Sequence, residues 1–215
     1  MKIGVLGTGM VGDAIATKLV ELGHQVKMGS RSATNDKAAA WVKKAGANAS
    51  QGTYDDAAKF GELVFNCVNG MGTTDALKSA GEQSLNGKIL VDVSNPLDFS
   101  KGMPPSLFVG NTDSLAEQIQ RTYPNVKVVK SLNTIAASVM VNPGMFPTET
   151  AVFVCGNDND AKKKVTEILR DWFGWKQILD LGDITCARGT EAYVPFWVMM
   201  MSAQSTPMFN IKIVK

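Results

Sequence analysis

The chain has 215 residues, which is enough for one α/β domain and a small additional region. Its formal net charge of +2 comes from interspersed charges, and its longest apolar run, residues 193–201, is far shorter than the roughly 20 residues that cross a bilayer, so neither a nucleic-acid nor a membrane partner is expected. No signal peptide is expected before the first strand, and the three scattered cysteines match no zinc spacing, so we expect a cytoplasmic protein without a metal site.

The first predicted elements are a strand, a glycine-rich turn and a helix. Residues 2–6 are apolar and predict a buried strand, and residues 13–22 have a helical pattern. The turn between them consists of Gly7, Thr8, Gly9, Met10, Val11 and Gly12. In this context G-x-G-x-x-G is the dinucleotide-binding fingerprint: the glycines permit the tight turn, the approach to a pyrophosphate and the packing of helix on strand.

The second predicted strand, residues 25–28, indicates which dinucleotide binds. An NAD enzyme carries an acidic residue about here to bond the ribose 2′-hydroxyl. In this chain the strand is followed by Gly29 and then by Ser30, Arg31 and Ser32, a cation between two hydroxyls. This turn suits a 2′-phosphate and predicts NADP(H), with Lys37 as a further cation near the same phosphate. The alternatives are a solvated arginine in an exposed loop and a lysine on a helix surface.

The rest of the chain alternates strands and helices. Strands are predicted at residues 47–50, 63–69, 88–94 and 126–131, and helices at 35–45, 73–80 and 114–122, the last capped by Asp113 or Ser114. A surface loop covers residues 99–111. After a loop-rich stretch at 132–150 come a strand (151–155), a helix (158–172), a strand (177–181), an apolar helix (184–203) and a final alternating strand (210–214). This order predicts an α/β fold: a Rossmann-like, doubly wound parallel sheet (1–131) with a small C-terminal α/β appendage (132–215) that packs on it.

Polar residues follow two of the predicted strands. Val68 and Asn69 end one, and Asn95 and Pro96 follow the next. Because ligands of doubly wound sheets bind outside the carboxyl ends of the strands, both pairs are candidates to contact the nicotinamide ribose. The alternative is ordinary turn chemistry, in which Asn, Gly and Pro are common.

The single histidine, His24, precedes the second strand, at the end of the sheet opposite the crevice. Dehydrogenation of alcohols usually needs a positioned acid or base, so the absence of a histidine at the crevice favours hydride transfer between two cofactors. Lysine, tyrosine and glutamate remain as possible acids, and we assign no catalytic residue.

Taken as a whole, the chain resembles the F420-dependent NADP oxidoreductases. The matching segments are spread over its length: residues 7–12, 29–31, 129–137, 154–158 with the lysine-rich helix that follows, 180–182, Glu191 with Pro195, and 211–212. The resemblance implies a Rossmann domain with a small C-terminal appendage, a homodimer, and direct hydride exchange between NADP(H) and a deazaflavin stacked over the nicotinamide.

The resemblance also places Asn133 and Thr134 at the nicotinamide. The family typically has Leu-His-Thr-Ile-Pro where this chain has Leu132, Asn133, Thr134, Ile135 and Ala136. Asn133 thus replaces the histidine that contacts the deazaflavin, and an ordinary flavin is an alternative acceptor.

Our hypothesis is an NADPH-dependent oxidoreductase that transfers hydride between NADP(H) and coenzyme F420 or a flavin. The alternatives are a carbonyl or imine reductase related to the β-hydroxyacid dehydrogenases and a non-catalytic NADP(H)-sensing protein. The aromatic and methionine cluster in residues 193–201 is interpreted as protein core and homodimer seam, with Phe196, Trp197 and Met200 at or near the seam. Its alternative role is to cover a flat second ligand.

Overall fold

The computed structural model describes residues 1–214. Its strands are β1 (Lys2–Leu6), β2 (Gln25–Ser30), β3 (Ala49–Thr53), β4 (Leu63–Asn66), β5 (Ile89–Asp92), β6 (Leu97–Asp98), β7 (Ser106–Leu107), β8 (Lys127–Ser131), β9 (Ala151–Gly156) and β10 (Gln177–Asp180). Its α-helices are α1 (Met10–Glu21), α2 (Asp36–Ala45), α3 (Tyr54–Phe60), α4 (Gly70–Ala80), α5 (Glu82–Leu85), α6 (Leu115–Thr122), α7 (Ala137–Met140), α8 (Asn159–Glu167) and α9 (Ala187–Gln204). A π-helical turn, Ile168–Trp172, continues α8, and a 3-10 turn, Ile184–Cys186, precedes α9.

One eight-stranded sheet forms the centre of the molecule, in the order β10-β9-β8-β5-β4-β1-β2-β3. The strands from β8 to β3 are parallel, whereas β9 runs antiparallel to β8 and β10 runs parallel to β9. The chain places β2 and β3 on one side of β1 and β4 on the other, so the order reverses between β1 and β4. This topology confirms the predicted Rossmann-like, mostly parallel sheet, and ligands of such sheets bind at the reversal point.

Both faces of the sheet are buried. Ile3 and Val5 belong to a core cluster that includes α1, whereas Leu6 belongs to a second cluster that includes α3 and α4. Because successive side chains of a strand point to opposite faces, these clusters lie on opposite sides of the sheet. Burial on both faces explains why the central strands β1, β4 and β5 are nearly continuous apolar runs without alternation.

Most of the longer helices begin at a residue whose side chain accepts a backbone N–H. These caps are Asn35 for α2, Thr53 for α3, Asn69 for α4, Ser114 for α6 and Asp158 for α8. Ser114, and not Asp113, caps α6, because the Asp113 carboxylate pairs with Arg121 at 2.8 Å. The caps satisfy backbone donors that the first turn of a helix leaves without partners.

Several elements differ from the prediction. The sequence pattern did not reveal α3, α5 and α7, which are short and therefore carry little periodicity. The predicted final strand at 210–214 is wrong: this segment is irregular as far as residue 214, although the Ala151 N–H donates to the Ile211 carbonyl at 2.8 Å. Residues 99–111 contain β7, which pairs antiparallel with β6. The apolar helix begins at Ala187 and contains Pro195.

The residues after 131 do not form a separate sheet, because β9 and β10 extend the central sheet beyond β8. The connection from β8 to β9, residues 132–150, contains α7. None of the helices in the described part of the chain is both long enough and apolar enough to cross a bilayer.

Candidate functional site

The glycine-rich turn lies where β1 ends, at the carboxyl edge of the parallel strands. Gly7 has φ +114°, and its N–H donates to the carbonyl of Gly29 in β2 at 2.9 Å. A Cβ on Gly7 would lie 2.8 Å from the carbonyl oxygen of Cys67, just after β4. The turn is therefore held between the ends of β2 and β4, in a conformation that glycine adopts without strain.

Gly9 and Gly12 meet opposite requirements. A Cβ on Gly12 would lie 2.1 Å from the carbonyl oxygen of Gly7, so only glycine permits this contact between α1 and the turn. A Cβ on Gly9 would meet no described atom within 4 Å. Gly12 is thus required by the fold, whereas Gly9 faces open space above the sheet edge.

The N-terminus of α1 differs from those of the capped helices. No described side chain caps it, and its N-cap residue is Gly9. Thr8 and Val11 are half-buried beside it, and Met10 is 84% exposed. A helix N-terminus of this kind presents free N–H groups and the positive end of the helix dipole, which together suit an anion.

The end of β2 adds hydroxyls and a cation beside this turn. The Ser30 hydroxyl is buried and donates to the Ser32 carbonyl at 2.6 Å, and the Ser32 hydroxyl lies 3.0 Å from that of Thr34. Arg31 is exposed between the two serines, and Lys37 is exposed in the first turn of α2. The Gly7–Gly29 hydrogen bond holds this turn next to the glycine-rich turn, so an anion bound here would lie close to one bound at α1.

The β4 end is used mainly for local structure. Val68 is half-buried, and the exposed Asn69 caps α4 by accepting the N–H of Gly72 at 2.9 Å. Gly70 makes a close backbone contact that the sequence did not predict. A Cβ at this position would lie 2.0 Å from the carbonyl oxygen of Asn95, so only glycine fits here. This approach joins the loops that follow β4 and β5.

Asn95 and Asn133, which follow β5 and β8, bind each other. The Asn95 Nδ2 donates to the backbone carbonyl of Asn133 at 2.8 Å, and the Asn133 Nδ2 donates to the Asn95 Oδ1 at 2.9 Å. Pro96 and Thr134 are buried next to them. Leu132, immediately before Asn133, has φ +64°, a conformation that is uncommon for a residue other than glycine and that marks a locally constrained backbone.

Below this pair lies a buried ionic cluster that the sequence analysis did not single out as a site. The Lys130 ammonium lies 2.8 Å from Asp92 Oδ2 and 2.7 Å from Glu191 Oε1, and all three side chains are almost inaccessible to solvent. Burial alone would lower the pKa of Lys130, but the two carboxylates outweigh it, so the pKa is raised and the group stays charged. A sequence signal did exist: Asp92 and Lys130 are the only charged residues inside the apolar cores of their strands, LVDVS and VVKSL.

Glu191 links this cluster to two helices. It belongs to α9, and its carboxylate accepts the backbone N–H groups of Leu115 (2.8 Å) and Ala116 (3.1 Å) at the start of α6. Nearby, Arg188 forms two hydrogen bonds with the Glu117 carboxylate, at 2.6 and 2.9 Å. The helices α6 and α9 are therefore joined through two buried acidic side chains, Glu191 and Glu117, and the partner of Glu117, Arg188, is partly exposed.

An apolar cavity of about 220 Å³ adjoins the end of β8. Thr134 lines it, together with Phe153 of β9 and Thr190 and Tyr193 of α9. Burial raises the pKa of Tyr193 above its usual value of 10.0, so its hydroxyl is neutral at physiological pH.

Of the remaining titratable groups, His24 lies away from these residues, whereas Cys67 adjoins the glycine-rich turn. His24 is in the turn before β2, at the opposite edge of the sheet, with its ring centroid 4.2 Å from that of Trp172. Burial and the nearby N-terminus lower its pKa. Burial also raises the pKa of the Cys67 thiol, so this group is not a thiolate. Within residues 1–214, no group of three or more His, Cys, Asp or Glu side chains is arranged to hold a metal ion.

The fold and the glycine-rich turn at its carboxyl edge define a Rossmann-like protein of the dinucleotide-binding type. A family model described as coenzyme F420-dependent NADP oxidoreductase matches residues 2–96. The F420-dependent NADP reductase of Methanocaldococcus jannaschii is 31% identical over 209 residues, covering 92% of this chain and 91% of that protein. The chain therefore belongs to the F420-dependent NADP oxidoreductase family, whose members are NADP-dependent oxidoreductases.

Two further relatives are similar over most of the chain. A solved structure of the Arthrobacter sp. FB24 protein assigned to the F420-dependent NADP reductases is 46% identical, with a TM-score of 0.95 and 100% of each chain covered. The rat metalloreductase STEAP3 is 33% identical over 201 residues, which is 91% of this chain. This chain spans only 38% of the length of that metalloreductase.

Proposed function

We propose that this protein transfers hydride between NADP(H) and a second redox-active ring cofactor, either coenzyme F420 or a flavin. The observation that carries the proposal is the juxtaposition of the open glycine-rich turn with the Ser30–Arg31–Ser32 turn at the point where the strand order reverses. NADP(H), when bound, supplies the hydride chemistry. The residues of the chain bind, orient and separate the two rings, so catalysis rests on proximity and orientation.

The pyrophosphate would be held by backbone and not by side chains. Gly9 leaves room for its approach, and the free N–H groups at the start of α1 point toward it. Five other helices, α2, α3, α4, α6 and α8, have a side-chain acceptor in this position, so an anion at α1 would take the place of a cap that α1 lacks. Gly7, Thr8, Met10, Val11 and Gly12 complete this part of the site.

The 2′-phosphate of NADP(H) would lie between Ser30, Arg31 and Ser32. The guanidinium of Arg31 is exposed and free to turn toward a phosphate, with which it can form charge-assisted hydrogen bonds. Lys37 adds positive charge from the first turn of α2. No carboxylate is present among residues 29–35 to repel the phosphate.

The acceptor would be bounded by Asn95, Pro96, Asn133 and Thr134, with Val68 and Asn69 on the opposite side of the crevice. In the Asn95–Asn133 pair each amide group uses one hydrogen, which leaves each with a second hydrogen for a ring carbonyl. The pair is rigid because each asparagine holds the other. It therefore offers fixed polar contacts beside the apolar wall formed by Pro96.

We also propose that the protein is a cytoplasmic homodimer. Phe196 and Met199 on α9 are about half exposed, at 51% and 48%, and form an apolar surface that a second copy would cover. Trp197 contributes less than the sequence suggested, because its ring stacks on Phe209 of the same chain with 5.4 Å between the centroids. Met200 is half-buried beside them.

The first test is the choice of dinucleotide. We expect NADPH to bind at least about tenfold more tightly than NADH, since a charge-assisted hydrogen bond contributes roughly 1.5–3 kcal/mol. Arg31→Ala should abolish most of this difference in calorimetry, whereas Lys37→Ala, as the matched loss of a nearby cation, should reduce it only slightly. Equal affinities in the unaltered protein would overturn the assignment.

The second test is the acceptor. Oxidation of NADPH is followed by its absorbance with coenzyme F420, FMN, FAD, quinones and simple carbonyl compounds in turn. We expect turnover with F420 or a flavin. Turnover with carbonyl compounds alone would support a carbonyl or imine reductase, and NADPH binding without any turnover would support a sensing protein.

A further inference from the structure

We propose that Asp92, Lys130 and Glu191, here called the buried latch, are positioning residues that hold the Asn95–Asn133 pair in place and tie it to α6 and α9. The inference rests on the proposed function, because that pair is assigned to the acceptor side of the crevice. The latch lies at the ends of β5 and β8, and each of its members comes from a different element.

The upper contacts of the latch fix the backbone that leads into Asn95. The Lys130 ammonium donates to the Ser94 carbonyl at 2.5 Å. The Asp92 Oδ1 accepts the Ser94 hydroxyl at 2.7 Å and the Asn66 amide at 2.7 Å. Ser94 is thus held by both charged partners one residue before Asn95, and Asn66 ties the end of β4 to the same carboxylate.

The lower contacts reach the helices. Glu191 binds Lys130 through Oε1 and binds the first backbone N–H groups of α6 through both oxygens. A displacement of α9 would therefore be transmitted to Lys130. Since α9 also supplies Thr190 and Tyr193 to the apolar cavity beside Thr134, the latch connects that cavity to the asparagine pair.

The ionic contacts of the latch fix the positions of particular atoms, which apolar packing would not do. Buried ion pairs contribute little net stability relative to well-packed apolar side chains, because desolvation offsets most of the attraction. Their hydrogen bonds are directional, however, and each one fixes a particular oxygen at a particular distance. A methionine in place of Lys130 would fill space but would leave the Ser94 carbonyl without its donor.

The test compares two glutamate-to-glutamine variants. Glu191→Gln removes the negative charge of Glu191 from the latch. Glu117→Gln is the matched control, because it makes the same change in a buried carboxylate that also joins α6 to α9, through Arg188. Hydrogen–deuterium exchange is measured by mass spectrometry on peptides covering residues 93–97 and 132–136. Lys130→Met serves as a second latch variant if it folds.

In Glu191→Gln we expect amide exchange in both segments to be faster by about tenfold, the lower range for losing one charge-assisted hydrogen bond. Peptides from residues 2–12 should be unchanged, and NADPH affinity should stay within about twofold while kcat falls severalfold. In Glu117→Gln the two segments should exchange as in the unaltered protein. Faster exchange confined to α6 and α9, or equal effects in both variants, would overturn the latch. Failure of the unaltered protein to bind NADPH would instead overturn the proposed function, and the exchange data would still decide the latch.

Discussion

Polar groups line the carboxyl edge of the sheet at two places, and their surroundings differ. At the ends of β1 and β2 they are local and, apart from the buried Ser30 hydroxyl, exposed: Gly9 borders open space, and Arg31 has solvent around it. At the ends of β5 and β8 they are buried and come from distant parts of the chain, as in the contact between Lys130 and Glu191. The first region suits a flexible ligand whose charged phosphates pair with exposed groups. The second region suits a flat ring that is held between fixed side chains.

The largest effect should come from breaking the buried region. Lys130→Met leaves Asp92 and Glu191 buried without their cation, which should destabilise the protein by about 3–5 kcal/mol in urea unfolding. The matched change Lys59→Met removes an exposed pair with Asp55, whose nitrogen–oxygen distance is also short, at 2.6 Å. It should leave unfolding unchanged, because exposed pairs contribute little. If both variants lose the same free energy of unfolding, burial does not make the Lys130 ion pairs more important for stability than the exposed pair.

A smaller effect should separate fold from ligand in the exposed region. Gly12→Ala forces a Cβ against the Gly7 carbonyl and should destabilise the protein by about 1–3 kcal/mol, as overpacking does. Gly9→Ala should change the unfolding free energy by less than about 0.5 kcal/mol, because its Cβ meets no described atom within 4 Å. Calorimetry should nevertheless find weaker NADPH binding in both. Unchanged affinity in Gly9→Ala would remove Gly9 from the site.

The acceptor preference should respond to Asn133 alone. We expect Asn133→His to raise turnover with coenzyme F420 severalfold, because a neutral hydrogen bond is worth roughly 0.5–1.5 kcal/mol, and to leave NADPH affinity nearly unchanged. A ring N–H can replace the Asn133 amide as the donor to Asn95 Oδ1. Asn133→Ala, which lacks any donor, is the control and should lower turnover. A gain in both variants would contradict a specific polar contact.

The smallest effect concerns acid. The hydrogen bonds from Arg188 lower the pKa of Glu117 below its ordinary value of 4.5, although burial opposes this. A depressed pKa contributes stability that is present above pH 4.5 and is lost as the pH falls through the folded-state pKa. The difference in unfolding free energy between the unaltered protein and Glu117→Gln should therefore be greatest near neutral pH and shrink below pH 4.5. A difference that grows in acid would have the wrong sign.

These two regions also explain what could be predicted from the sequence. The glycine-rich turn and the turn at Arg31 are contiguous motifs, so the residues that meet in space are neighbours in the chain. Asn95 was found as a polar residue after a strand and Asn133 through the family resemblance, but their mutual hydrogen bonds depend on the pairing of β5 with β8. The pairing of Lys130 with Glu191 depends on where α9 packs, which no local pattern specifies.

Local patterns also misled in one place. Residues 210–214 alternate as a strand would, yet they are irregular as far as residue 214. Phe209 packs on Trp197, and the Asn210 amide donates to the carbonyl of Ala151 at 3.0 Å. Burial does not follow the alternation, since Asn210 and Ile211 are both half-buried whereas residues 212–214 are all exposed. The alternation of polar and apolar residue types over this short segment therefore does not reflect a strand with one buried face.

The antiparallel direction of β9 has a consequence for how this protein can evolve. Since β8 ends and β9 begins at the same edge of the sheet, a short hairpin would suffice to join them, without any crossover. The chain instead uses residues 132–150, and the length of this connection is free of any topological requirement. Insertions or deletions after α7, in residues 141–150, leave both the strand order and the packing of α7 against α1 intact, so a lineage can vary this loop while the scaffold that binds the dinucleotide is inherited unchanged.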